Sequence, residues 1–361
     1  MEENKIFKQY LEKKDTYDLF GKKLVDLIEG LLINNQIDYQ SISYRVKSQE
    51  SFRNKLNKKK KYKDITDMTD VCGVRIISYY SDTVDKVAKI ISEQFEVDEE
   101  NTIDKRKALD PDKFGYLSLH YVISLKEDRL KLPEYSIFKG IKVEIQIRSI
   151  SQHAWAEIEH DLGYKNKNEI PREIRRDFSR LASLLELVDK EFIEIRNKLN
   201  LYKDEVKENI KASSEAILID SISLEQYLDS SIEIDELNSS IIKFYNCKML
   251  NSTSNLSSTI LRLEKAGFNT IQQIEEEIKK NNPHICELAK RIVLDADDDD
   301  DTEVYCDRTI GLFFLCYYNV CKEQSLNKIM QYLEESGISI ENEELKQFAK
   351  ELYSYYNEIN K

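Results

Sequence analysis

"VEIQIRSISQHAWAEIEHDLGYK", residues 143–165, changes its period halfway along. Val143, Ile145 and Ile147 alternate with Glu144, Gln146 and Arg148, the two-residue repeat of a strand with one apolar and one polar face. From Ile150 the spacing turns helical and carries the chain's single tryptophan, Trp155. A carboxylate, an amide and a guanidinium leaving one side of one strand offer a metal donor beside groups that bind a polar ligand or its phosphates. Read alone, the same alternation equally suits a solvated strand face.

Working outward, "YQSISYRVKS" alternates like a strand, and "SQESFRNKLNKKKKY" is helical after a cap at Ser48. "DITDMTD" reads as a short helix, "VCGVRIISYY" as a buried strand, "SDTVDKVAKIISEQF" as a capped helix and "GYLSLHYVISL" as another strand. Strands separated by helices in this order predict an α/β sheet domain. Residues 3–33 space their apolar side chains as an amphipathic helix or helix pair. Pro171, an ideal first-turn residue, opens a helical pattern lasting about eleven turns. Beyond it strand signals almost vanish. A helix, a turn at Gly267 and a Thr270-capped helix precede the aromatic-rich helices "TIGLFFLCYYNVCKEQ" and "LKQFAKELYSYYNEI". Four segments are therefore expected: 1–36 helical, 37–170 the α/β domain, 171–211 a long connecting helix, and 212–361 an all-α region for regulation or interaction.

Length and composition narrow the class. A chain of 361 residues exceeds the usual single domain. With 41% hydrophobic and 34% charged residues it reads as a soluble, helix-rich, cytoplasmic protein. The N-terminus is too charged for a signal peptide, and no apolar run approaches a membrane span, so no membrane partner is expected. The six cysteines form no CxxC pair and the four histidines are scattered, which argues against zinc and for reduced thiols. Basic and acidic side chains balance over residues 1–165, so the excess of thirteen negative charges lies after Lys165 and disfavours nucleic-acid binding there. The run "DADDDDDTE", 295–303, lacks the turn glycine and bidentate glutamate of an EF-hand and reads as a solvated loop.

Four polar clusters in the first half share the features of a nucleotide site. "YRVKSQES" places Arg45, Lys47 and Ser51 at a strand-to-helix junction, where cations and free helix amides suit a polyphosphate. "TDVCGVR" sets Asp70 and Arg75 around a glycine, and "KFGYLSLH" sets Lys113, Tyr116, Ser118 and His120 together, an aromatic beside donors. Glu144 and Gln146 complete the set.

In this order the clusters resemble the synthetase domain of RelA/SpoT-type alarmone synthetases. The matching motifs are R-x-K-x-x-x-S, D-x-x-G-x-R, G-Y-x-S-x-H, E-I-Q-I-R and W-x-x-x-E-H, from about Gln40 to Lys165. The resemblance implies a mixed sheet of the nucleotidyltransferase type and a Mg²⁺-dependent transfer of the β,γ-pyrophosphate of ATP to the ribose 3′-hydroxyl of GDP or GTP, as in a GTP pyrophosphokinase. It implies that Arg45 and Arg75 clamp the adenine, Lys47 and Ser51 hold the triphosphate, and Asp70 and Glu144 hold the metal. Glu144 would also help deprotonate the acceptor hydroxyl, and Tyr116, His120, Gln146 and Lys113 would bind the acceptor nucleotide. Leu117 departs from the Arg or Gln of many relatives. Two alternatives accompany this reading: a toxic synthetase that pyrophosphorylates the tRNA 3′ end through "NKKKKYK", 57–63, and a catalytically silent nucleotide-binding module. A protein partner or trigger at the C-terminal region and self-association are the remaining partner expectations.

Overall fold

The computed structural model describes residues 2–58, 62–104, 118–163, 171–212, 216–245, 247–250, 256–294, 305–337 and 342–361. Lys113, Tyr116, Lys59 to Lys61 and the acidic run 295–303 lie outside them. The chain divides into two units, residues 1–197 and 198–361.

The first unit opens with one helix, α1 (Glu2–Asn34), where the spacing left room for a pair. β1 (Ser41–Val46) and α2 (Gln49–Lys58) follow. "DITDMTD" forms only a single 3-10 turn, Ile65–Asp67. Then come β2 (Cys72–Ser78), α3 (Ser81–Gln94), the two-residue strands β3 (Glu96–Val97) and β4 (Ile103–Asp104), and β5 (Leu119–Ser124). Two single-turn helices, α4 (Glu127–Leu130) and α5 (Pro133–Ser136), lead to β6 (Val143–Ser149) and α6 (Ile150–Gly163). The helix α3 was expected to carry a side-chain cap, but Tyr80 occupies the cap position and no side chain bonds there.

The strands form a mixed sheet in the order β1-β2-β6-β5-β3, with β4 also paired to β5. The β2–β6 pair is parallel and the other pairs are antiparallel. Because side chains alternate, Val74, Ile76, Ile145, Ile147 and Ile123 all leave one face. There they pack into one core with Phe20, Leu24 and Ile28 of α1 and Val84, Val87 and Ile91 of α3. The opposite face carries Arg45, Arg75, Glu144, Gln146 and His120 beside the buried Val122 and Ile77.

The 41-residue helix α7 (Arg172–Ala212) contains the division between the units. The second unit continues with α8 (Ser221–Ser230), α9 (Ile232–Tyr245), β7 (Lys248–Met249), α10 (Leu256–Lys265), α11 (Ile271–Leu294), β8 (Tyr305–Cys306), α12 (Ile310–Cys321), α13 (Leu326–Glu335) and α14 (Asn342–Ile359). Gly267 turns α10 into α11 at φ +93°, a conformation open to glycine, and Thr270 Oγ1 caps α11. The aromatic faces of α12 to α14 supply Phe314, Tyr317, Tyr318, Tyr332 and Tyr356 to its core. One cysteine expectation is overturned. Cys247 and Cys306 form a disulfide, because parallel pairing of β7 with β8 brings two residues 59 apart in sequence to a Cα–Cα distance of 6.1 Å. Among the described residues no helix is long and apolar enough to cross a membrane.

Candidate active site

The sheet register assembles the polar face into two transverse rows. Arg45, Gly73, Glu144 and Val122 make one row across β1, β2, β6 and β5; Ser43, Arg75, Gln146 and His120 make the next. Gly73 carries no side chain between Arg45 and Glu144, and the nearest heavy atom to an added Cβ there would be 3.8 Å away. The protein itself thus leaves that position open rather than forcing a glycine.

Along β6 the three polar side chains bond in sequence. Arg148 donates from Nη2 to Gln146 Oε1 at 2.5 Å, and Gln146 donates from Nε2 to Glu144 Oε1 at 2.6 Å. His120 Nδ1 reaches the same carboxylate oxygen at 3.1 Å. Burial raises the Glu144 carboxyl, but the bonds from His120 and Gln146 and the charges of His120 and Lys55 outweigh it and bring its pKa down to about 2.

A second carboxylate, Asp70, lies in the turn two residues before β2. Asp70 Oδ2 accepts from Lys47 Nζ at 3.1 Å and from Lys55 Nζ at 2.5 Å. Its Oδ1 is buried without a hydrogen-bond partner. Lys55 therefore joins Asp70 and acts electrostatically on Glu144, a residue that sequence reading missed. The signal was present: Lys55 follows Ser51 by one helical turn on α2. Ser48 Oγ accepts from the Ser51 amide at 3.2 Å and caps α2, with Ser51 exposed beside it.

On the far side, α6 brings a carboxylate to the guanidiniums. Glu157 Oε1 lies 3.1 Å from Arg75 Nη2 and 4.0 Å from Arg148 Nη1, with His153 Nδ1 at 3.8 Å. Burial and the charges of Arg75 and Arg148 lower the His153 pKa, against the opposing pull of Glu157. Neither Glu157 nor His153 was legible as a site residue. The position of α6 is locally encoded: Ser149 Oγ accepts from the Gln152 amide at 3.2 Å while Gln152 Oε1 accepts from the Ser149 amide at 3.0 Å, a reciprocal cap. Asp189 of α7 accepts from Ser149 Oγ at 2.7 Å. Trp155, 8% exposed, donates to the Phe178 carbonyl at 3.2 Å.

Eight of the ten sequence-predicted residues fall within the described structure. His120, Glu144, Gln146 and Arg75 share one face, while Asp70 gathers Lys47 beside it. Arg45 heads the first row and is exposed, and Ser51 stands at the start of α2. Among the described residues no group of three or more His, Cys, Asp or Glu side chains forms a metal cage. The two-carboxylate set suits an ion that keeps most of its ligands as water and phosphate oxygens, and the buried, unpartnered Asp70 Oδ1 is a fitting donor.

Comparison with known proteins agrees in location. Residues 44–169 match the family described as "Region found in RelA / SpoT proteins". The chain is 28% identical over 199 residues to GTP pyrophosphokinase YwaC of Bacillus subtilis (strain 168), covering 54% of this chain and 89% of that protein. It is 30% identical over 128 residues to GTP pyrophosphokinase YjbM of the same organism, covering 35% of this chain and 57% of that protein. The crystal structure of small alarmone synthetase 1 from Bacillus subtilis aligns over 54% of this chain and 98% of that one, with 26% identity and a TM-score of 0.45.

Proposed function

We propose that the chain, whose residues 44–169 match the region found in RelA / SpoT proteins, is a GTP pyrophosphokinase, transferring the β,γ-pyrophosphate of ATP to the ribose 3′-hydroxyl of GDP or GTP. The observation that carries this reading is the convergence of Arg75, Gln146, His120 and Glu144 on one sheet face, with Asp70, Lys47 and Lys55 grouped at the entry to β2. A bond forms between the acceptor 3′-oxygen and the β-phosphorus, the bond from that phosphorus to the α–β bridging oxygen breaks, and AMP leaves as the hydroxyl proton departs.

Each residue has a role that its surroundings support. The Arg75 guanidinium stacks on the adenine from within the sheet face, with Arg45 opposite it. Lys47 and Lys55 supply charge to the triphosphate at the start of α2, whose free amides and Ser51 lie alongside. Gln146 and His120, adjacent in register, orient the acceptor ribose. Asp70 and Glu144 would hold Mg²⁺, which when bound neutralises charge on the transferred phosphoryl groups. A carboxyl with a pKa near 2 stays ionised at every working pH, which suits a metal ligand. The same value makes Glu144 a weak acceptor of the hydroxyl proton, since an efficient general base is poised near the working pH. Of the two roles expected for Glu144, the charge of a ligand is the one its environment favours.

The test is incubation of the purified chain with γ-labelled ATP, Mg²⁺ and either GDP or GTP. Label is expected in a guanosine nucleotide in step with AMP release. Unlabelled guanosine nucleotides and no AMP with both acceptors would refute the assignment.

A further inference from the structure

Resting on the reading that Arg75 stacks on the donor base, we propose that Glu157 is a positioning residue whose charge holds the Arg75 guanidinium in place for the adenine. The carboxylate lies 3.1 Å from Arg75 Nη2. At that distance the opposite charges attract, and the attraction restricts where the long Arg75 side chain can lie before the nucleotide arrives.

The holding group is itself held. Glu157 also faces Arg148, which is 6% exposed and bonded to Gln146. Its helix is fixed at the Ser149–Gln152 cap, at Asp189 and at Trp155. Arg75 thus faces a carboxylate on a rigid frame. Ordering a long side chain before the ligand binds removes that cost from the binding step. The Glu157 side chain is 52% exposed, so the pair adds little to folding, and its removal should register in binding.

Calorimetric titration of the full chain with ATP and, separately, with GDP tests this directly. Glu157→Ala is expected to weaken ATP binding about tenfold while GDP binding stays within about twofold, and Glu157→Gln, which keeps an acceptor oxygen, about threefold. In an Arg75→Ala background Glu157→Ala should weaken ATP no further, because its effect runs through the missing guanidinium. ATP binding by Glu157→Ala as tight as wild type, an equal loss for GDP, or an added loss in the Arg75→Ala background would each overturn the proposal. A wild-type chain that shows this pattern yet transfers no pyrophosphate would leave the positioning role standing and remove the reaction. A wild-type chain that does not bind ATP would remove both.

Discussion

At the scale of single residues, Glu144 concentrates the most chemistry on the fewest atoms. One carboxylate oxygen receives Gln146 and His120, and the resulting pKa of about 2 fixes its charge. Glu144→Gln keeps the volume and removes the charge, so transfer is expected to fall to background while the far-UV spectrum is unchanged. Near-wild-type turnover at saturating Mg²⁺ would contradict the assignment of Glu144 and, in the parallel Asp70→Asn variant, of Asp70. The same pKa makes a stability prediction. A carboxyl depressed in the fold from 4.5 to about 2 contributes stability that is present above its unfolded pKa and is lost as pH falls through the folded one. Chemical denaturation between pH 5 and about 2 should therefore show a shallower acid loss for Glu144→Gln than for wild type. Equal slopes would mean that Glu144 is not held ionised by its neighbours.

Between elements, the site face depends on packing from the other side of the sheet. Gly21 of α1 lies against the Tyr44 ring of β1, and a Cβ at that position would sit 2.3 Å from the ring. Tyr44 precedes Arg45, so a shift of β1 moves the head of the first polar row. Gly21→Ala should cost about 1–3 kcal/mol and lower the Tm of the first unit by roughly 3–10 °C. Calorimetry of residues 1–211 is the measurement, and an unchanged Tm would show that α1 and β1 separate there at no cost. In the second unit the Cys247–Cys306 bond closes a 59-residue separation. Its reduction by dithiothreitol is expected to destabilise residues 198–361 by roughly 4 kcal/mol or less, with no effect on residues 1–197. A second transition unaffected by dithiothreitol would argue against this contribution.

At the scale of the whole molecule, the two units hold separate cores. The described site residues all fall in residues 1–197, while Val206 and Tyr202, still on α7, belong to the second unit: Val206 is 2% exposed in its core and Tyr202 bonds Asp220. We propose that residues from about 212 onward regulate the reaction. A fragment of residues 1–211 is expected to fold and transfer pyrophosphate at least as fast as the full chain, and residues 198–361 to fold without activity. Circular-dichroism melts and the label-transfer assay check both. A folded, ATP-binding but inactive 1–211 fragment would assign the second unit a direct part in catalysis.

The period-two alternation of β1 and β6, the buried run of β2, the Ser48 and Thr270 caps and the helical span opened by Pro171 were legible in the sequence, because each depends on neighbours within a few residues along the chain. The five ordered motifs likewise mark the candidate site along the chain. Tertiary structure alone decided which polar residues meet. Parallel pairing of β2 with β6 sets Arg75 beside Gln146, and α6 delivers Glu157 to two guanidiniums from elsewhere in the chain. The α2 helix puts Lys55 on Asp70, and strand pairing joins Cys247 to Cys306. These contacts arise from the burial of apolar faces that carry the polar groups with them, and a local pattern records which face is apolar without recording what that face will pack against.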